Sequence, residues 1–198
     1  MVQAEITVNT VKYTTDQIRN LIIGGYRLPA DAEIKPGSGC IFRIYKENHM
    51  ASGLDVIIVD DEPDVCKTLS ALISSFYTWG NVIDFTDADQ AIEYCLNRDV
   101  GIAIFVVDVY LGGKSGFFFL DAIEEKFITA HEDTIIISGK ASDEVVDMCV
   151  ASNVNHLLEK PIKPFALQLA IRAIIEKYLR FAKKLLQDPA YAENVAKF

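Results

Sequence analysis

The sequence predicts an α/β protein: a doubly wound, five-stranded parallel sheet with helices on both faces, preceded by a small α+β segment. Two observations carry that prediction. From Leu54 onward, short apolar runs alternate with stretches whose apolar residues recur at helical spacing. The runs are continuously apolar, as in strands covered on both faces, and right-handed crossovers between such strands give a doubly wound sandwich.

The amino-terminal segment reads differently. "EITVNTVKY" (5–13) predicts a strand. "TTDQIRNLI" (14–22) predicts a helix, with Thr14 and Gln17 spaced as a capping box and Gly24-Gly25 as its stop. "CIFRIYK" (40–46) predicts a second strand. No catalytic constellation stands out here. Residues 1–49 carry a net charge of +1 and the rest of the chain −10. The seam holds His49-Met50-Ala51-Ser52, which resembles a cloning junction. Residues 1–49 are therefore read as an expression fusion in preference to a native module, 50–53 as the junction, 54–180 as the main domain and 181–198 as a helix extension and tail.

In the main domain "LDVIIVD" (54–60) is the first strand. "PDVCKTLSALISSF" (63–76) is a helix with Pro63 suited to its first turn. "NVIDFT" (81–86) is a weaker strand, and "DADQAIEYCLN" (87–97) a helix with Asp87 or Asp89 near its start. "GIAIFVVD" (101–108) is a second full apolar strand, followed by the helix "GFFFLDAIEEKF" (116–127), whose Phe117 to Phe119 are expected in the core. "DTIIISG" (133–139) is a strand, "SDEVVDMCVAS" (142–152) a helix, "VNHLLEK" (154–160) the last strand and 164–187 the last helix.

Composition sets limits. A net charge of −9 and a pI near 4.8 argue against direct nucleic-acid binding. No apolar run reaches transmembrane length, no signal-peptide pattern opens the chain, and a cytoplasmic location is expected. Cys40, Cys66, Cys95 and Cys149 form no CxxC and read as buried hydrophobes in a reducing compartment. His49, His131 and His156 are dispersed, so a metal site built on His and Cys is not expected.

Ligands of doubly wound sheets bind at the carboxyl ends of the strands. The polar residues there are Asp60 and Asp61 on the first strand, Asp108 on the third, Ser138 on the fourth and Lys160 on the fifth. Carboxylates without His or Cys suit a hard cation such as Mg2+. Left together without one, they would repel, and at least one pKa would rise. A carboxylate can serve as a nucleophile and form an aspartyl phosphate, with Lys160 offsetting charge and Ser138 hydrogen-bonding a phosphoryl oxygen. The glycines after Asp108 would allow close backbone approach.

The acidic pair in "VIIVDDEPDV", Asp108 in "VVDVYLGGKSG", Ser138 in "IIISGKAS" and Lys160 in "LLEKPIKPF" resemble the receiver domain of two-component response regulators, over residues 54 to about 180. The intervals fit that family too: 30 residues from Asp108 to Ser138 and 22 from Ser138 to Lys160. The resemblance implies a flavodoxin-like fold and a domain that is not an enzyme in the usual sense. It implies Asp108 as phosphoacceptor, Asp61 as a direct Mg2+ ligand, Asp60 as a ligand through water, and a metal contact by the Tyr110 carbonyl. It implies Ser138 and Lys160 on the phosphoryl group, and a sensor histidine kinase or phosphotransfer protein as donor.

Three positions depart from the family. Gly112 replaces the usual Pro, which would loosen the loop after Asp108. Leu157 replaces the usual switch aromatic, so switching is expected to run through Ser138 and residues 139–143. Tyr110 is bulky and would shield an acyl phosphate from water. Two alternatives are weaker. A haloacid-dehalogenase-type phosphatase needs a second Asp two residues after its nucleophile, where this chain has Tyr110. A receiver-like interaction module that is never phosphorylated would not need the complete set. No output domain follows, so the chain is expected to be a stand-alone regulator or a piece of a longer protein. In the last helix Leu167, Ile171, Ile174, Tyr178, Phe181 and Leu185 form a short heptad seam. Its second half is expected to project and pair two chains as a homodimer, the alternative being that it folds back on its own chain.

Overall fold

The computed structural model describes residues 5–8, 11–14, 54–98, 101–188 and 190–191. The chain divides into two compact units, one over 52–175 and one combining 1–51 with 176–198. In the latter, β1 (Glu5–Val8) and β2 (Val11–Thr14) pair antiparallel, with Ile6 opposite Tyr13. The strand expected over 5–13 is thus a pair. Thr14, expected to open a helix, ends β2. The rest of that helix, 15–22, its Gly24-Gly25 stop and the strand over 40–46 lie outside the described residues.

The larger unit is the predicted parallel sheet. It comprises β3 (Val56–Val59), β4 (Val82–Phe85), β5 (Ile104–Asp108), β8 (Thr134–Ser138) and β9 (His156–Glu159), in the order β4-β3-β5-β8-β9. The helices between and after them are α1 (Pro63–Ser74), α2 (Ala88–Leu96), α3 (Gly116–Ile123), α4 (Asp143–Ala151) and α5 (Pro164–Gln187). The three central strands are buried along their whole length, while β4 and β9 at the edges are mostly half-buried.

Strand side chains alternate between faces. Ile57, Val59, Phe105, Val107 and Ile136 join one core with Ala91 and Cys95 of α2, Phe119, Leu120 and Ile123 of α3, and Val145 and Cys149 of α4. The opposite face carries α1, through Leu69 and Ile73, and α5, through Leu167, Ile171 and Ile174, all buried. Phe105 packs edge-on against both Phe119 and Phe127.

Local chemistry starts the helices. Pro63 occupies the first turn of α1, and Asp87 Oδ1 accepts the Gln90 N–H at the start of α2. Ser115 Oγ accepts the Phe118 N–H at the start of α3. Phe117 and Phe119 are in the core as expected, whereas Phe118 is 49% exposed because the helical turn carries it to the other face.

Two expectations need correction. The segment after β5 holds a small antiparallel pair, β6 (Tyr110–Leu111) and β7 (Lys114–Ser115), rather than a plain loop. Gly112 and Gly113, at φ of 57° and 101°, form its tip, and positive φ at both positions favours glycine. In α5, Tyr178 and Phe181 are half-buried rather than projecting, and the Phe181 ring meets Tyr191 of the same chain edge-on. Among the described side chains of α5, Phe165 and Leu169 are the large apolar groups that are exposed. The side chain of Leu185 lies outside the description.

Candidate functional site

The order β4-β3-β5 places β3 and β5 side by side where the chain reverses its direction of travel across the sheet. Their carboxyl ends flank the crevice in which doubly wound sheets bind ligands. Asp60 directly follows β3 and Asp108 ends β5. Asp60 is fully buried, Asp108 nearly so, and Asp61 is exposed. Each can offer one carboxylate oxygen within 4.8 Å of the others.

Lys160 reaches this group from the end of β9. Its Nζ stands 2.8 Å from Asp60 Oδ2, contacts Asp108 Oδ2 at closer range, and lies 3.3 Å from Glu62 Oε1. Burial works against the Lys160 ammonium, but Asp108 and Asp60 together outweigh it and hold its pKa above the ordinary lysine value. Asp60 is shifted upward. Its removal from water is the largest cause, the Lys160 hydrogen bond opposes it, and repulsion by Asp108 adds the least. The predicted rise of one carboxylate pKa therefore occurs, driven by burial more than by mutual repulsion.

Backbone amides hold the carboxylates in place. The Glu62 N–H donates to Asp60 Oδ1 (3.0 Å) and the Tyr110 N–H to Asp108 Oδ1 (3.1 Å). The Gly112 N–H donates to Asp61 Oδ2 (3.1 Å), so the β6–β7 tip folds over the acidic pair. The expected close backbone approach is clearest at Gly116, where a Cβ would come within 2.2 Å of the Asp108 carbonyl oxygen. Lys114 anchors the hairpin laterally by pairing with Asp89 and covering the Phe118 ring.

Ser138, fully buried at the end of β8, is engaged locally. Its Oγ donates to the Lys140 carbonyl (2.7 Å) and accepts the Lys140 N–H (3.2 Å). Tyr110 is 68% exposed, so its ring does not cover Asp108 in this conformation. Leu157 packs half-buried against the core. Glu62 was missed as part of the site, although its place directly after the acidic pair was a usable signal.

The all-oxygen donor set fits a hard cation. The charge count adds a specific reason: buried Asp60 shares the Lys160 ammonium with Asp108, and Asp61 stands beside them, so the carboxylates outnumber the lysine. Asp60, Asp61 and Asp108 are thus the residues that would hold Mg2+.

Comparison with known proteins gives the family. The model of the response regulator receiver domain matches residues 56–172. The chain belongs to that family. Solved structures agree in fold. The receiver domain protein from Clostridium thermocellum is 21% identical, with a TM-score of 0.55, over 67% of this chain and 98% of its own. The chemotaxis protein CheY4 of Vibrio cholerae is 18% identical, with a TM-score of 0.54, over 62% of this chain and 99% of its own. A third, in a CheX-CheY-BeF3-Mg2+ complex from Borrelia burgdorferi, is 21% identical, with a TM-score of 0.55, over 63% of this chain and 91% of its own. Comparison with curated protein sequences gave no match. Among the described residues of this receiver, no helix is long and apolar enough to cross a membrane.

Proposed function

We propose that this receiver accepts a phosphoryl group on Asp108 from the phosphohistidine of a sensor kinase or phosphotransfer protein, in a Mg2+-dependent reaction, and changes conformation in response. The observation that carries the reading is the position of Lys160, one ammonium against both Asp60 and Asp108 with Asp61 beside them.

In the reaction an Asp108 carboxylate oxygen attacks phosphorus. The new O–P bond forms as the P–N bond to the donor imidazole breaks, and the leaving nitrogen is protonated. Mg2+, when bound, neutralises charge on the phosphoryl oxygens. Lys160 exchanges its contact with the Asp108 carboxylate for one with a phosphoryl oxygen. Ser138 gives up its bond to the Lys140 carbonyl and donates to another. That exchange pulls on residues 139–143, which is where switching would begin, since Leu157 offers no polar group to follow it. Charge added at a strand rim shifts a pre-existing equilibrium.

Labelling with acetyl phosphate tests the reading. The wild type should take one phosphoryl group per chain with Mg2+ and none without, and Asp108→Asn should take none. Labelling of Asp108→Asn at the wild-type level overturns the assignment. Steady turnover would indicate a phosphatase, and no labelling an interaction module.

The domain division is a proposal as well: residues 1–49 are a fused segment and 54–180 the receiver. A chain lacking 1–49 should keep full labelling. The homodimer seam on α5 is weakened by the Phe181–Tyr191 contact. A wild type that sediments as a monomer would remove it.

A further inference from the structure

We infer that Gly112 is a positioning residue for the metal site: its backbone N–H orients Asp61 and leaves that carboxylate a single free oxygen, which favours Mg2+ over larger cations. The inference rests on the reading of Asp60, Asp61 and Asp108 as the Mg2+ ligands.

The three carboxylates share a pattern. Each has one oxygen held by a backbone amide: Asp60 Oδ1 by Glu62, Asp108 Oδ1 by Tyr110 and Asp61 Oδ2 by Gly112. The first two amides lie two residues after the acid they hold, so the local turn supplies them. The third comes from 51 residues away, at the tip of the β6–β7 pair. Lys160 faces the second oxygens of Asp60 and Asp108. Asp61 is exposed, and among the described residues no ion pair holds it, so the Gly112 amide is what fixes its side chain. A carboxylate ordered in advance loses less freedom when it takes up an ion.

Space is not the reason for glycine at this position. A Cβ there would meet Asp61 Oδ2 at 4.0 Å, an ordinary contact. The backbone is the reason. At a φ of 57° the residue is in the left-handed region, which suits glycine and, among other residues, Asn or Asp. Proline, usual here in the family, is held near a φ of about −65° and has no N–H to donate. Glycine in its place does not loosen the loop. It supplies the donor that ties the hairpin tip to the metal site.

The held oxygen also bears on which ion fits. With Oδ2 engaged, Asp61 presents Oδ1 as its one ligand atom. Mg2+ suits single oxygens in a tight octahedron, whereas Ca2+ accepts both oxygens of one carboxylate. Released from the amide, Asp61 could turn both oxygens to a larger ion.

The test is calorimetric titration of the full chain with MgCl2 and, separately, with CaCl2. Gly112→Pro should bind Mg2+ about tenfold more weakly, the low end of what a ligand's hydrogen-bond partner contributes, and should lose clearly less affinity for Ca2+. Gly112→Asn keeps the N–H in a residue that tolerates the conformation, and should bind both ions as the wild type does. Should Gly112→Pro fail to fold, hydrogen exchange in the metal-free protein decides. The Gly112 amide should exchange about tenfold faster in Asp61→Ala than in the wild type, as the loss of one hydrogen bond implies, with the Tyr110 amide unchanged. Unchanged Mg2+ affinity in Gly112→Pro, equal losses of Mg2+ and Ca2+, a Gly112→Asn as weak as Gly112→Pro, or a Gly112 amide indifferent to Asp61→Ala overturns the inference. Mg2+ binding undiminished in Asp61→Ala is a separate failure, because it overturns the placement of the metal itself.

Discussion

Two buried ion pairs sit at opposite ends of the same sheet and are built on different terms. At the amino end Asp55 meets Arg98, Oδ2 to Nη1, at 2.8 Å. The other oxygen of Asp55 accepts from the backbone and side-chain nitrogens of Asn81 (2.7 and 3.2 Å). One acid faces one base, and both carboxylate oxygens are satisfied. At the carboxyl end one Lys160 serves Asp60 and Asp108, with Asp61 and Glu62 adding further negative charge. The balanced pair serves the fold. The overcharged one keeps a surplus that an incoming cation and phosphoryl group can use, at a cost in stability.

The largest expected effect is at the balanced end. Arg98→Met leaves a buried carboxylate without its counter-charge and should cost about 3–5 kcal/mol in urea unfolding. A loss within experimental error of zero would mean that Asp55 reaches water and the contrast fails.

Mg2+ should act in the opposite direction and only at the rim. At about one hundred times its Kd it should stabilise the wild type by about 2.7 kcal/mol. Asp61→Ala should remove more of that gain than Asp60→Ala, since Asp61 is the expected direct ligand. Equal gains in wild type and Asp61→Ala would place the ion elsewhere.

Asp60→Asn sharpens the contrast with a smaller effect of reversed sign. Because the folded-state pKa of Asp60 is raised, its favourable contribution is complete below the unfolded value near 3.8 and is lost as pH rises through the folded value. At neutral pH the charge is a cost. Asp60→Asn should therefore stabilise the metal-free protein by about 1 kcal/mol while weakening Mg2+. A destabilised variant at neutral pH would show that the Lys160 contact outweighs burial.

The two ends also differed in how far the sequence disclosed them. Asp60, Asp108, Ser138 and Lys160 each end or directly follow an apolar strand run, and parallel topology sends all such ends to one rim. The rim was therefore legible before any coordinates. Asp55 and Arg98 are 43 residues apart with no motif between them, and only the sheet order joins them. The β6–β7 pair was legible in principle from Gly112-Gly113, but strands of two residues show no periodicity. The apolar spacing of α5 was visible in the sequence, and Leu167, Ile171 and Ile174 are buried as that spacing suggests. What Tyr178 and Phe181 meet depended on tertiary contacts that periodicity does not carry.

The smallest effect comes from His156, the first residue of β9 and level with Ile135 on β8. Burial lowers its pKa from the ordinary value of 6.5, so the folded chain favours the neutral ring. A base lowered in this way contributes stability that is complete above the unfolded pKa and lost as pH falls through the folded one. The wild type should thus unfold at lower urea at about pH 5.5 than at about pH 7.5. His156→Gln should lose part of that difference, because its amide carries no charge at either pH. The Lys160 ammonium at the other end of β9 should not contribute, since opposing carboxylates hold it charged throughout the window. A wild type and His156→Gln with the same pH dependence would move the titration to another group and leave the edge strand electrostatically silent.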